Sequence, residues 1–200
     1  TNIDYNEQGL TGTVPTELGQ FTEARSLNLG LNQLTGAIPT EIGQMRKLTT
    51  GGDGFFWANK LTGTIPTELG MLGQMGEEFY LSSNLFSGAV PTQLGQLVQM
   101  SSSFYLHSFS GAVPTQLGQL SQMSSWFALH YNSFSSTVPT QLGQLVQMSS
   151  RFYLHSNSFS GAVPTQLGRL EKMTHAFQLM SNNFCGDVPT EVQALSSGVT

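Results

Sequence analysis

Charge is scarce in this sequence, and a long interior stretch has none at all. Lysine and arginine together number 7 and the acids 12 in 200 residues, for a formal net charge of −5. Nine of the acids precede Phe79, and from Phe79 through Ser150 there is no Asp, Glu, Lys or Arg. With no basic patch to displace counterions, a nucleic acid partner is disfavoured, and so is an acidic membrane surface. There is no apolar run long enough to span a bilayer, so no direct membrane insertion is expected in this stretch. The first residues already lie inside a repeat and do not form a signal peptide. Cys185 is the single cysteine and offers only a weak sign of an oxidising compartment. A catalytic set is missing too. No Ser/His/Asp constellation or carboxylate pair stands apart from the periodic pattern, and no metal-ligand spacing occurs, so neither an enzyme nor a bound cofactor is expected.

What is present is punctuation. The 8 prolines, Pro15, Pro39, Pro66, Pro91, Pro114, Pro139, Pro164 and Pro189, are each followed by threonine, at spacings of 24, 27, 25, 23, 25, 25 and 25 residues. That period fits one short strand plus one return segment, the unit of a solenoid. Alternating apolar residues such as Leu27 and Leu29, Phe104 and Leu106, or Phe152 and Leu154 are the period-two mark of a strand with one buried face. Stacked, such strands make a parallel sheet. Three residues later comes Asn32, Asn59, Asn84, Asn132, Asn157 or Asn182, whose amide can satisfy backbone groups where the chain leaves the strand. Glycine then suits a tight turn, at Gly12, Gly36, Gly63, Gly88, Gly111, Gly161 and Gly186. The proline opens the return segment, where its missing N–H costs nothing.

Phe21, Ala24, Leu27, Leu29, Asn32, Leu34, Gly36, Ile38 and Pro39 can be written LxxLxxLxLxxNxLxGxIP, with Glu41-Ile42-Gly43 fitting an xLGx ending. This pattern resembles the plant-type leucine-rich repeat, found in receptor ectodomains, polygalacturonase-inhibitor-like proteins and repeat proteins of algae and protists. The resemblance implies a leucine-rich repeat solenoid of the α/β class with few helices. Short parallel strands would line a concave face, with turns and short 3-10 or irregular segments on the convex one. It also implies a non-enzymatic module that recognises a protein, peptide or neutral glycan and is secreted or displayed at the cell surface. Residues 1–200 read as one array of about eight units with both caps incomplete. Cys185 stands where family members often carry a capping disulfide; a buried free thiol is the other reading.

The units are not uniform. From Leu72 onward most carry one extra residue before the strand, and in the third unit Thr49-Thr50-Gly51-Gly52-Asp53-Gly54 forms a glycine-rich bulge. The fifth unit lacks two residues after His107-Ser108, its asparagine among them, and a local defect is expected there.

Function in such an array belongs to the outward strand positions. One outward column reads Asp4, Asn28, Phe55, Tyr80, Tyr105, Ala128, Tyr153, Gln178, and the next Asn6, Gly30, Trp57, Ser82, His107, His130, His155, Met180. A third includes Tyr131, which offsets the missing tyrosine at Ala128. Phe55, Trp57, Tyr80, Tyr105, His107, His130, Tyr131, Tyr153 and His155 are therefore the candidate ligand-binding residues. Tyrosine and tryptophan supply rigid contact area with a polar handle, whereas recent duplication would copy the same residues with no binding role. The histidines suit a metal or pH-sensitive face less well, since no acidic or cysteine ligands accompany them. The threonines after proline suggest an ice-ordering ladder, but one column is too few. The alternative to recognition is a structural scaffold, one subunit of a larger multiprotein assembly.

Overall fold

The computed structural model describes residues 1–195. Each period forms one coil, and successive coils stack so that equivalent positions become neighbours. The main sheet is parallel. Strands Phe79–Tyr80, Ser102–Tyr105, Ser125–Ala128, Ser150–Tyr153 and His175–Gln178 pair in chain order, with Phe79, Phe104, Phe127, Phe152 and Phe177 in register. Their rings lie parallel and 5.1–5.8 Å apart, a continuous offset stack. These rings are buried, as are Met75, Met100, Met123, Met148 and Met173 from the approach to each strand.

The asparagine column closes each coil onto the one before it. Asn84 Nδ2 donates to the Phe56 carbonyl at 2.8 Å, and its Oδ1 accepts the Leu61 N–H at 3.0 Å. Asn157 does the same for Leu129 and Phe134. One side chain thus satisfies an acceptor and a donor that a solvent-free corner would leave unpaired. No asparagine occupies this place in the fifth coil. A second sheet along the flank runs through Thr11–Thr13, Gln33–Gly36, Lys60–Gly63 and Leu85–Phe86, and then stops. Pairing resumes between Ser110–Gly111 and Ser133–Phe134, breaks again, and resumes between Ser160–Gly161 and Asn183–Phe184. Phe109 keeps its core place, stacked 6.3 Å from Phe86.

Return segments are 3-10 turns such as Thr40–Gln44, Thr92–Gln96 and Thr115–Gln119, each entered from a proline with φ near −60°. Every threonine after proline donates to the Glu or Gln beside it, as Thr92 does to Gln93 at 3.2 Å. Those hydroxyls are thus each oriented by a neighbour within their own coil. The glycine inside each 3-10 return turn, as in Leu117-Gly118, is demanded by stacking. A Cβ on Gly118 would lie far inside van der Waals contact of the Gln141 carbonyl oxygen in the next coil. Turn glycines such as Gly88 and Gly111 have φ of 86° and 80°, and in the sixth coil Ser136 takes their place at φ 72°.

The one-residue insertions have a defined form. Glu78, Ser103, Trp126, Arg151 and Ala176 each have φ between 57° and 62°, a left-handed residue just before the buried phenylalanine. The sheet register skips them, pairing Ser125 with Ser150 and Phe127 with Phe152. Each is a bulge that adds one residue to the strand without shifting the core positions. Among the described residues no helix is long and apolar enough to cross a membrane. Cys185 is free and exposed on the flank strand's end, which overturns the buried-thiol reading.

Two substitutions test these backbone demands in opposite directions. Gly118→Ala should lower stability by about 1–3 kcal/mol, because the neighbouring backbone has to retreat. Ser136→Gly should raise it by about 0.5–1 kcal/mol by relieving a left-handed serine. Urea denaturation followed by circular dichroism reads both, and equal midpoints for the pair would contradict the assignment.

Candidate functional site

Phe55 requires a correction. It was expected to face outward, but it is fully buried. The coil's first core position is held by Gly54, which has no side chain to fill the space between Leu27 and Phe79. Phe55, with φ 26°, turns its ring into that gap and lies 5.4 Å from Phe79, so the ring stack continues through the third coil. Phe56 takes the second core place and donates its N–H to the Tyr80 carbonyl. The outward slot beside Tyr80 is thereby left without a ring.

The bulge occupies the ground next to that slot. Residues Gly52–Gly54 form a short 3-10 turn whose backbone crowds the preceding coil, with Gly54 against Gly30 and Gly52 against Asn28. Side chains on Gly30 or Gly54 would collide, which is why the loop is glycine-rich. Thr50 ties the base of the loop down by accepting the Gly52 N–H and donating to Glu78. A pocket of about 390 Å³ results, lined by Asp53, Trp57, Tyr80, Ser82, Ser83, Tyr105 and His107.

Beyond the pocket the aromatic row continues through a residue absent from the sequence-based set. Ala128 is buried, and the gap it leaves between Tyr105 and Tyr153 is bridged by Trp126 from the bulge column. Its ring lies 5.5 Å from Tyr105 and 6.1 Å from Tyr153. Arg151, also on a bulge, places its guanidinium 4.3 Å over the Trp126 ring. Tyr80 and Tyr105 meet edge to face at 5.0 Å. The extra residue per unit was visible in the spacing; that it would project a side chain onto the face was not.

The histidines form a second row. His107 and His130 are 4.9 Å apart, and His130 and His155 are 4.8 Å apart. Tyr131 stands over them at 5.1 Å from His130 and 5.2 Å from His155, and it is 66% exposed. It caps the histidine row and does not fill the tyrosine gap. His155 is nearly buried, with Nδ1 3.1 Å from the Ser156 hydroxyl. His107 Nε2 and His130 Nδ1 are buried without a hydrogen-bond partner. Burial pushes the His130 imidazole down to about 4, with the charge of His107 and His155 adding to the shift, and burial also lowers His107 and His155. All three are neutral at pH 7. Burial likewise raises the Tyr105 phenol, reinforced by Tyr80 and Tyr153. Among the described residues no group of three His, Cys, Asp or Glu is arranged to hold a metal ion.

No family model matches the chain, and no curated protein matches it in sequence. Solved structures do match. The plant peptide hormone receptor RGFR1 in complex with RGF2 superposes with a TM-score of 0.86 at 27% identity, over 96% of this chain and 30% of that one. The chain has the plant-type leucine-rich repeat fold. The PEPR1–AtPEP1 structure is 30% identical with a TM-score of 0.78, over 94% of this chain and 26% of that one. A TDR receptor, at 24% identity and a TM-score of 0.88, covers the whole array and shows the same fold. The array spans 34% of that receptor, so about a third or less of each of these chains.

The histidine row makes a pH prediction. With a folded value for His130 near 4 against an ordinary 6.5, the unfolded chain binds the proton first. The neutral ring's contribution to stability is therefore complete above 6.5 and is lost as pH falls toward 4. His130→Gln cannot titrate, so between about pH 7 and pH 4.5 its thermal midpoint should fall less than that of the parent. Equal falls in the two proteins would remove His130 from this account.

Proposed function

We propose that this array recognises a peptide or an extended protein segment laid across the outward face of its main sheet, at the cell surface or outside the cell. The observation that carries the reading is the continuous aromatic face. Tyr80, Tyr105, Trp126 and Tyr153 follow one another ring to ring, and His107, His130 and His155 run beside them under Tyr131. The strands beneath are locked by core rings in register, so these side chains meet a ligand with little ordering left to lose. Neutral imidazoles and phenols recognise amides and hydroxyls without the desolvation cost of a charge. Two similar structures are the plant peptide hormone receptor RGFR1 in complex with RGF2 and the receptor kinase HAESA ectodomain in complex with a peptide hormone ligand, which supports a peptide over a glycan. An extracellular setting rests on the same likeness.

Peptides selected from a random display library on the intact array should bind the double variant Tyr131→Ala, Tyr153→Ala at least about 30-fold more weakly, the loss typical of truncated aromatic anchors. Circular dichroism should show the variant folded, since Tyr131 is exposed and Tyr153 is not fully buried. Undiminished affinity would place the contact elsewhere.

A scaffold role is favoured by a different feature, the flank sheet. From Ser87 to Ala162 its outward residues are small and uncharged: Ser87, Ala89, Ser110, Ala112, Ser135, Thr137, Ser160 and Ala162 are all exposed. Such a surface accepts a constitutive neighbour at little desolvation cost. On this reading, Ser110→Lys with Ser135→Lys would release the chain from a native-source assembly in size-exclusion chromatography while leaving peptide binding intact. Co-elution with unchanged neighbours would refute it.

A further inference from the structure

The pocket beside the glycine-rich bulge differs in charge from the rest of the aromatic face. We propose that it takes the guanidinium or ammonium group of a basic residue in a bound peptide, seated between the Asp53 carboxylate and the rings of Trp57, Tyr80 and Tyr105. The proposal rests on the recognition role argued above and adds the chemistry of one ligand position.

Three observations converge on it. First, Asp53 is the only ionised group lining the pocket, and no lysine or arginine lines it. Glu77 and Glu78 stand close by, and their charges act with that of Asp53 on the Tyr80 phenol, which burial has already raised. The negative field therefore reaches the pocket wall at Tyr80, while at the far wall the charge of Arg151 acts on Tyr105. Second, the walls are aromatic, and a cation over a ring face is attracted by the ring quadrupole. Third, the same row already holds a guanidinium: Arg151 lies 4.3 Å from the Trp126 ring centre, two coils away from the pocket. The protein supplies its own cation at that end of the row and none at the other.

The alternatives are less well served. An acidic residue would be repelled by three carboxylates. A neutral sugar would find the rings but would gain nothing from the charge. The bulge gives the arrangement its shape: Phe55 turns inward, the slot beside Tyr80 opens, and the loop that replaces a regular strand entry brings Asp53 to its rim.

The test uses the intact chain and a peptide selected on it by display. If the inference holds, selected peptides share an arginine or lysine, and replacing that residue with the isosteric but uncharged citrulline, or with glutamine for lysine, weakens binding on the order of tenfold or more. Asp53→Asn should cause a similar loss for the basic peptide and little loss for its uncharged analogue. Asp53 is exposed on a loop, so the variant is expected to fold, and the analogue peptide on the parent protein gives the answer independently of any variant. Peptides that depend on Tyr131 and Tyr153 but carry no basic residue, or that bind Asp53→Asn as tightly as the parent, would overturn this inference and leave the recognition role standing. Binding that ignores Tyr131 and Tyr153 altogether, or no selectable binder, would overturn both.

Discussion

An amide side chain turned inward at the end of every main-sheet strand but the fifth coil's holds two coils together, and most of the array follows from that requirement. A solenoid coil cannot bury its apolar face alone; it needs a neighbour at a fixed spacing. The backbone groups at its corners face the same interior and have no water to bond. Asn84 and Asn157 resolve this by donating to one carbonyl of the preceding coil and accepting one N–H from it. The spacing this sets brings the next coil's backbone against Gly118 and its equivalents, and leaves room for phenylalanine rings to stack just over 5 Å apart. Repetition along the chain thus becomes translation in space.

Departures from the repeat matter because the rest is so regular. The fifth coil lacks its asparagine, yet the main sheet is continuous from Phe79 to Gln178, while the flank sheet breaks before that coil and again between the sixth and seventh. The third coil does the reverse. Its bulge breaks main-sheet pairing into isolated bridges at Thr50, while the flank sheet passes through it. The aromatic face begins at that break. On one side lie Asp53, Glu77 and Glu78; on the other begins the long uncharged stretch, whose rings and neutral histidines extend the surface as far as Arg151. An acidic end and a neutral body on one rigid face suit a ligand that is polar along its length and basic at one point.

Much of this was legible in the residues. The period, the strands, the asparagine column, the turn glycines and the 3-10 returns after proline all follow from residues whose neighbours are the same in every coil. The candidate site was legible in part. Tyr80, Tyr105, Tyr153 and the three histidines fall in columns because their coils are regular. Phe55 did not behave as its column predicts, because Gly54 left a hole that only the adjacent ring could fill. Trp126 and Arg151 went unrecognised because an inserted residue has no place in a periodic template, and its direction depends on the left-handed backbone it adopts.

The sequence by itself therefore determined the architecture: a pattern repeated in phase admits one way of stacking, since only translation buries every apolar position and pairs every corner amide. It also determined the neutrality of the central face. The tertiary structure alone decided which way the irregular residues point. Whether Phe55 lies inside or outside, whether Trp126 joins the tyrosine row, and where Asp53 stands are set by competition for space among coils some 25 residues apart. That competition is resolved only when the coils are in contact.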